Sequence, residues 1–239
     1  MIGQLDSYSH RSRIQPAFLG LLPATVTLAT TMGFSRGLVS GIIAVAGSTG
    51  LTYLIAMFVR DRGRRIQKAL WASWGGKPTT QLLKMPLDET EGTLQRRRAL
   101  MRKLMSESSL QGDQSPPSDD AIEDYVGRLR ELTRDRNEYP LVAHENAGYG
   151  FRRNLLGLRR LGIALSALST AWAAVATGLA LSHHEAAHAT LYGVVLVGDV
   201  GAAFLWVRVI TGDWVKEQAF HYARALFGAA EKVEVQSVQ

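Results

Sequence analysis

The chain has 239 residues, of which 46% are hydrophobic and 20% charged, with a formal net charge of +6 at pH 7. Its near-zero mean hydropathy averages two unlike populations. Four apolar runs, Ile14–Met32, Leu38–Val59, Leu161–Leu181 and Leu191–Val207, hold a single formal charge between them, Asp199. Runs of that length match the roughly 17–25 residues a helix needs to cross a bilayer. A soluble globular domain is excluded as the whole molecule, and the chain reads as an integral membrane protein. Without cysteine it has no disulfide, thiolate metal site or cysteine nucleophile.

The first run follows Arg11 and Arg13. It exceeds the roughly 7–15 apolar residues of a cleavable signal, so it reads as a retained span. The second run is followed by Arg60, Arg62, Arg64, Arg65 and Lys68, and the third is preceded by Arg152, Arg153, Arg159 and Arg160. The two short connections, Gly33–Gly37 and Ser182–Ala189, are poor in such charge. Basic flanks stay on the cytoplasmic side. Both termini and the middle region are therefore expected inside, and both hairpin tips outside. The expected fold is an all-α membrane protein. A first transmembrane hairpin occupies 1–59, a mainly helical basic insert 60–160, a second hairpin 161–210 and a cytoplasmic tail 211–239. The two hairpins show no common register and are not repeats.

Within the insert, Arg60–Trp74 continues the second span as a helix, with Ile66, Leu70 and Trp74 on one face. Gly75, Gly76 and Pro78 stop it. Thr79–Met85 is expected to be a short extended segment. Thr90–Ser106 reads as a helix with Leu94, Met101, Leu104 and Met105 on one side and Arg96–Arg98 mostly off it. Ser106–Ser118 is a polar loop. Asp119 and Asp120 then favour a helix start, followed by Ile122, Tyr125, Val126, Leu129 and Leu132 at helical spacing. Asn146–Gly150 leads into a basic helical run toward the third span.

Several motifs bear on chemistry. His184-Glu185-Ala186-Ala187-His188 matches the H-E-x-x-H pattern of zinc proteases, but it occupies a short tip between two spans that leaves no room for a catalytic cleft. No metal, cofactor or catalytic residue is assigned, and the chain is not read as an enzyme. Gly75-Gly76-Lys77 is not a phosphate loop, because Trp71 stands where the first glycine is needed and Pro78 where the magnesium-binding hydroxyl belongs. Trp71 and Trp74 either stack on bases or serve as core or membrane-interface aromatics. Basic residues beside the spans answer to the bilayer. Arg96, Arg97 and Arg98 lie far from any span, and there arginine's fork geometry suits a ligand with several phosphates, a solvated face being the alternative. Asp199, between Gly198 and Gly201, is either a structural acid paired with a hydroxyl or cation, or an acid lining a pore.

Three segments carry a resemblance. They are Trp71-x-x-Trp74-Gly75-Gly76-Lys77-Pro78-Thr79-Thr80, Leu132-Thr133-Arg134-Asp135, and Glu145-Asn146-x-x-Tyr149-Gly150-Phe151-Arg152-Arg153-Asn154. Together with the span arrangement they resemble bacterial membrane proteins of antiphage loci, in particular the membrane effector of the Hailong defence system. The resemblance implies a homotetrameric, ligand-gated ion channel in the inner membrane. Its ligand is expected to be a nucleotide or short single-stranded DNA made by a cognate nucleotidyltransferase encoded nearby, and its action the disruption of membrane potential. The expected ligand-binding residues are Trp71, Trp74, Lys77, Arg96, Arg97, Arg98, Tyr149, Arg152 and Arg153, with Asp199 in the pore. The rival expectation is a non-conducting membrane scaffold that recruits a cytoplasmic protein.

Overall fold

A computed structural model describes residues 10–31, 49–87, 90–105 and 116–237, and every element among them is helical. A π-helical turn at His10–Ile14 enters α1 (Gln15–Thr31). There follow α2 (Thr49–Ser73), α3 (Pro78–Lys84), α4 (Glu91–Met105), α5 (Asp119–Leu132) and α6 (Pro140–Gly157). Then come α7 (Arg159–Ser182), α8 (Ala186–Phe204), a π-helical continuation at Leu205–Val209, and α9 (Gly212–Ser237). The chain forms two compact units, one of Met1–Ile66 with Gly150–Val215 and one of Gln67–Tyr149 with Lys216–Gln239.

In the first unit, three helical stretches among the described residues are long and apolar enough to cross a membrane: Ser12–Thr31, Arg159–Ser182 and Ala186–Val209. Four spans were expected. Half of the second, Leu38–Val59, lies outside the described residues together with the tip Gly33–Gly37, and its other half is seen as the start of α2. Helices α1, α7 and α8 pack pairwise. Their outer faces leave Leu168, Val194, Val197 and Phe204 at 61–73% exposure, as faces compatible with apolar surroundings do.

Backbones come close at one end of this unit. Ala17, Val59, Leu155, Leu158, Trp206 and Ile210 form a buried cluster. Gly162 lies under the Trp206 indole, and Gly157 lies against the backbone of Arg62 and Gly63. Asn154 is buried and donates from Nδ2 to the carbonyl of Ser12 at 2.7 Å. Arg159 donates from Nε to the Trp206 carbonyl at 3.0 Å and from Nη2 to that of Val207 at 2.8 Å. A π-helical turn leaves carbonyls that the regular ladder would have used, and this guanidinium satisfies two of them.

The second unit contains α3, α4 and α5, which pack pairwise, and most of α9. Helix α5 starts where the acids indicated, with Ser118 Oγ accepting from the Ala121 amide at 3.2 Å. Its spacing places Ile122, Tyr125, Val126 and Leu129 in the core, but Leu132 is exposed. Thr79–Met85 is not extended. It is helix α3, because Pro78 takes the first helical position, where its missing N–H costs nothing. Gly75 and Gly76, at φ +82° and +130°, make the turn into it. Gln81 holds that turn by donating to the carbonyls of Trp74 at 3.0 Å and Gly76 at 2.8 Å.

The C-terminal segment expected as a tail is largely α9. Its buried Ala219, Ala223, Leu226, Phe227 and Ala230 recur at three- and four-residue spacing, and Phe227 stacks parallel on Tyr125 at 6.1 Å. Helix α6 begins at Pro140, ahead of the expected Asn146. Most of the polar loop Ser106–Ser118 lies outside the described residues.

Candidate functional site

The second unit holds a cleft of about 50 Å³ lined by Gln67, Trp71, Lys77, Pro78, Thr79, Arg130, Tyr149, Ala219, Tyr222 and Ala223. Three expected ligand-binding residues, Trp71, Lys77 and Tyr149, therefore meet, although they come from α2, the α2–α3 turn and α6. The glycine turn swings Lys77 back over the helix it left, setting its Nζ 5.4 Å from the centre of the Trp71 ring. Tyr149 is buried and lies parallel to Tyr222 at 6.4 Å. Trp74 is buried, and its carbonyl is held by Gln81. It supports the turn from within.

Charge in the cleft is basic, with one acid answering it. Lys77 Nζ lies 2.8 Å from Glu123 Oε1 on α5. That hydrogen bond and the attraction of the same ammonium hold the Glu123 carboxyl below the usual carboxylate range, and Arg130 adds a smaller pull in the same direction. Arg130 is exposed and makes no ion pair among the described residues. Sequence reasoning missed it, along with Gln67 and Tyr222. Arg130 is one of two basic residues on α5, with Arg128, and has no motif around it, so only the packing of α5 brings it to the cleft that Lys77 lines.

The arginine run Arg96–Arg98 divides into three different environments. Arg96 is exposed and pairs with Glu231 at 3.5 Å. Arg97 lies with its guanidinium 5.5 Å from the centre of the Phe227 ring. Arg98 is buried, donating from Nε to the Leu83 carbonyl and from Nη2 to the Lys84 carbonyl, both at 2.9 Å. It closes the C-terminus of α3, where cationic donors complete unused carbonyls, and the expectation that it faces a ligand gives way to that role. None of the three lines the cleft. Arg152 and Arg153 belong to the first unit. Arg152 donates to the Trp214 carbonyl at 2.8 Å and covers the Trp214 ring at 4.8 Å, and Arg153 donates to Asn154 Oδ1.

Asp199 is buried on α8, and its Oδ2 accepts from Thr27 Oγ1 of α1 at 2.6 Å. Within one chain it meets a hydroxyl on a neighbouring helix. At the tip, His184 is in the left-handed region at φ +59° and α8 starts only at Ala186. The two histidines of the H-E-x-x-H pattern are therefore not one turn apart on a common helix. His188 Nδ1 instead lies 3.0 Å from Glu185 Oε2. Among the described residues no three metal-ligating side chains converge. A second cavity, of about 240 Å³, lies in the first unit between Thr31, Trp172, Leu179, His183 and Tyr192. Its walls are mostly the apolar flanks of α7.

The cleft thus offers aromatic faces and two cations at short range, without a nucleophile–base pair. Such a surface can hold an anion that also carries a flat ring. No protein-family model matches the chain, and no curated protein or solved structure matches it either.

Proposed function

We propose that the chain is an oligomeric inner-membrane ion channel opened by a nucleotide or short single-stranded nucleic acid. The ligand occupies the Trp71–Lys77–Arg130–Tyr149 cleft, on the cytoplasmic side. The convergence of Trp71, Lys77, Arg130 and Tyr149 carries this reading. Phosphate oxygens suit the ammonium and guanidinium, and a base stacked on an aromatic ring contributes about 1–3 kcal/mol.

A route to the membrane is supported by connectivity. The chain passes between its two units at Ile66–Gln67, Tyr149–Gly150 and Val215–Lys216, and each crossing falls inside a helix, α2, α6 or α9. Gln67 and Tyr149 line the cleft and stand at two of those crossings. A ligand that touches them better in one state than another would shift the spans, by no more than that difference in affinity. Conduction, tetrameric assembly and a partner nucleotidyltransferase rest on the resemblance to the antiphage effector. One observation favours the rival scaffold reading: the acid expected in the pore spends an oxygen on Thr27 inside one chain.

Liposomes containing the purified protein, with an ion-flux dye inside, test the proposal. A short oligodeoxynucleotide added to the parent should raise flux, and Lys77→Glu should abolish the response. Ligand binding with no flux at any concentration would favour the scaffold.

A further inference from the structure

We infer that Glu123 is a built-in competitor for Lys77, occupying the ammonium until a ligand displaces it and so setting the concentration at which the cleft fills. The inference rests on the reading of this cleft as the ligand site. Lys77 is engaged on two sides, by the Glu123 carboxylate at 2.8 Å and by the Trp71 ring at 5.4 Å. A nucleotide offers a substitute for both contacts. Its phosphate replaces the carboxylate on the ammonium, and its base replaces the ammonium on the indole. Inorganic phosphate offers only the first exchange and a nucleoside only the second.

The geometry makes Glu123 easy to displace. Its side chain is 70% exposed, against 36% for Lys77, so the carboxylate can rotate into water without leaving a buried charge behind. Glu123 and Arg130 are seven residues apart on α5 and share a face. The same helix therefore presents one group that repels an incoming phosphate and one that attracts it. Two charges a few ångströms apart at a surface interact modestly and are screened by salt, which suits a threshold better than a lock.

The test measures binding of a fluorescent oligodeoxythymidylate to the full-length protein in detergent. Glu123→Gln should tighten binding about two- to fivefold at low salt, and the gain should shrink as salt is raised. Asp124→Asn makes the same change in net charge at the neighbouring position and should leave affinity unchanged. In a Lys77→Gln background the gain from Glu123→Gln should shrink markedly, because the contact it relieves is already gone and only the direct repulsion of the phosphate is left to remove. A gain that persists undiminished in that background, or equal affinities for Glu123→Gln and the parent, would overturn the competitor while leaving the cleft as the site. Absence of binding to both proteins would overturn the cleft reading, and the competitor with it.

Discussion

Gly162 on α7 lies so close under the indole of Trp206 that a Cβ there would come within 2.2 Å of Cε2. The ring is 3% exposed and belongs to the buried cluster with Ala17, Val59, Leu155, Leu158 and Ile210, so it can move away only by disturbing its neighbours. Gly162→Ala should destabilise the protein by about 1–3 kcal/mol through overpacking, read as a lower unfolding temperature in detergent. Trp206→Leu should restore part of the loss when combined with it. Gly157→Ala meets backbone at 2.7 Å, which cannot rotate away, and should cost more than Gly162→Ala. Gly178→Ala meets nothing within 4 Å and should be neutral.

The division of the arginine run gives a second contrast. Arg98→Ala removes two charge-assisted hydrogen bonds to the end of α3 and leaves those carbonyls unmatched, which should cost about 2–3 kcal/mol. Arg96→Ala loses only an exposed pair at 3.5 Å and should change stability by less than about 1 kcal/mol. Chemical denaturation followed by tryptophan fluorescence separates the two. Equal effects would mean that Arg98 does not close α3.

How far these features were legible in the sequence depended on whether the signal was local. Helix α5 was, because Ser118, Asp119 and Asp120 mark its start and Ile122, Tyr125, Val126 and Leu129 its buried stripe. The membrane-length helices α1, α7 and α8 were legible from apolar length. Helix α3 was not, since its seven residues are too few to show a period and its ends are fixed by Gln81 and by Arg98, fourteen residues beyond Lys84. Three arginines in a row cover most of a helix circumference, so one of them had to turn inward, and packing alone selected Arg98. The spacing of Ala219, Ala223, Leu226 and Ala230 in α9 was present all along, but small residues give a weak stripe. In the cleft, Trp71, Lys77 and Tyr149 were legible from motifs, while Arg130 needed the fold.

The Thr27–Asp199 bond yields a third prediction. Thr27→Val keeps the shape but removes the hydroxyl that meets the buried carboxylate, and should destabilise the protein by about 1–3 kcal/mol. Asp199→Asn can still accept from Thr27, so assembly should survive with unchanged ion preference in liposome flux. Loss of cation preference in that variant would place the carboxylate on the conduction path.

Tyr125 gives a pH signature. Burial raises its hydroxyl above the ordinary tyrosine range, with a smaller opposing pull from Arg97. The folded state thus holds its proton more tightly than the unfolded one. Its contribution to stability is complete below the ordinary tyrosine pKa and is lost as pH rises from there through the raised folded value. In an ultraviolet titration the late-ionising tyrosine fraction of the parent should fall with Tyr125→Phe, while Tyr139, whose hydroxyl is also raised by burial and Glu138, remains in it. A titration unchanged by the substitution would contradict the burial assignment.

The central claim is that Trp71, Lys77, Arg130 and Tyr149 form the ligand site. The most direct test is the affinity of the full-length protein for a short single-stranded oligodeoxynucleotide, measured by fluorescence anisotropy across a salt series, for the parent and for Lys77→Glu with Arg130→Glu. The account predicts at least about a hundredfold weaker binding by the double variant, two charge-assisted contacts having become repulsive, with a shallower salt dependence. Affinity and salt slope equal to those of the parent would contradict it.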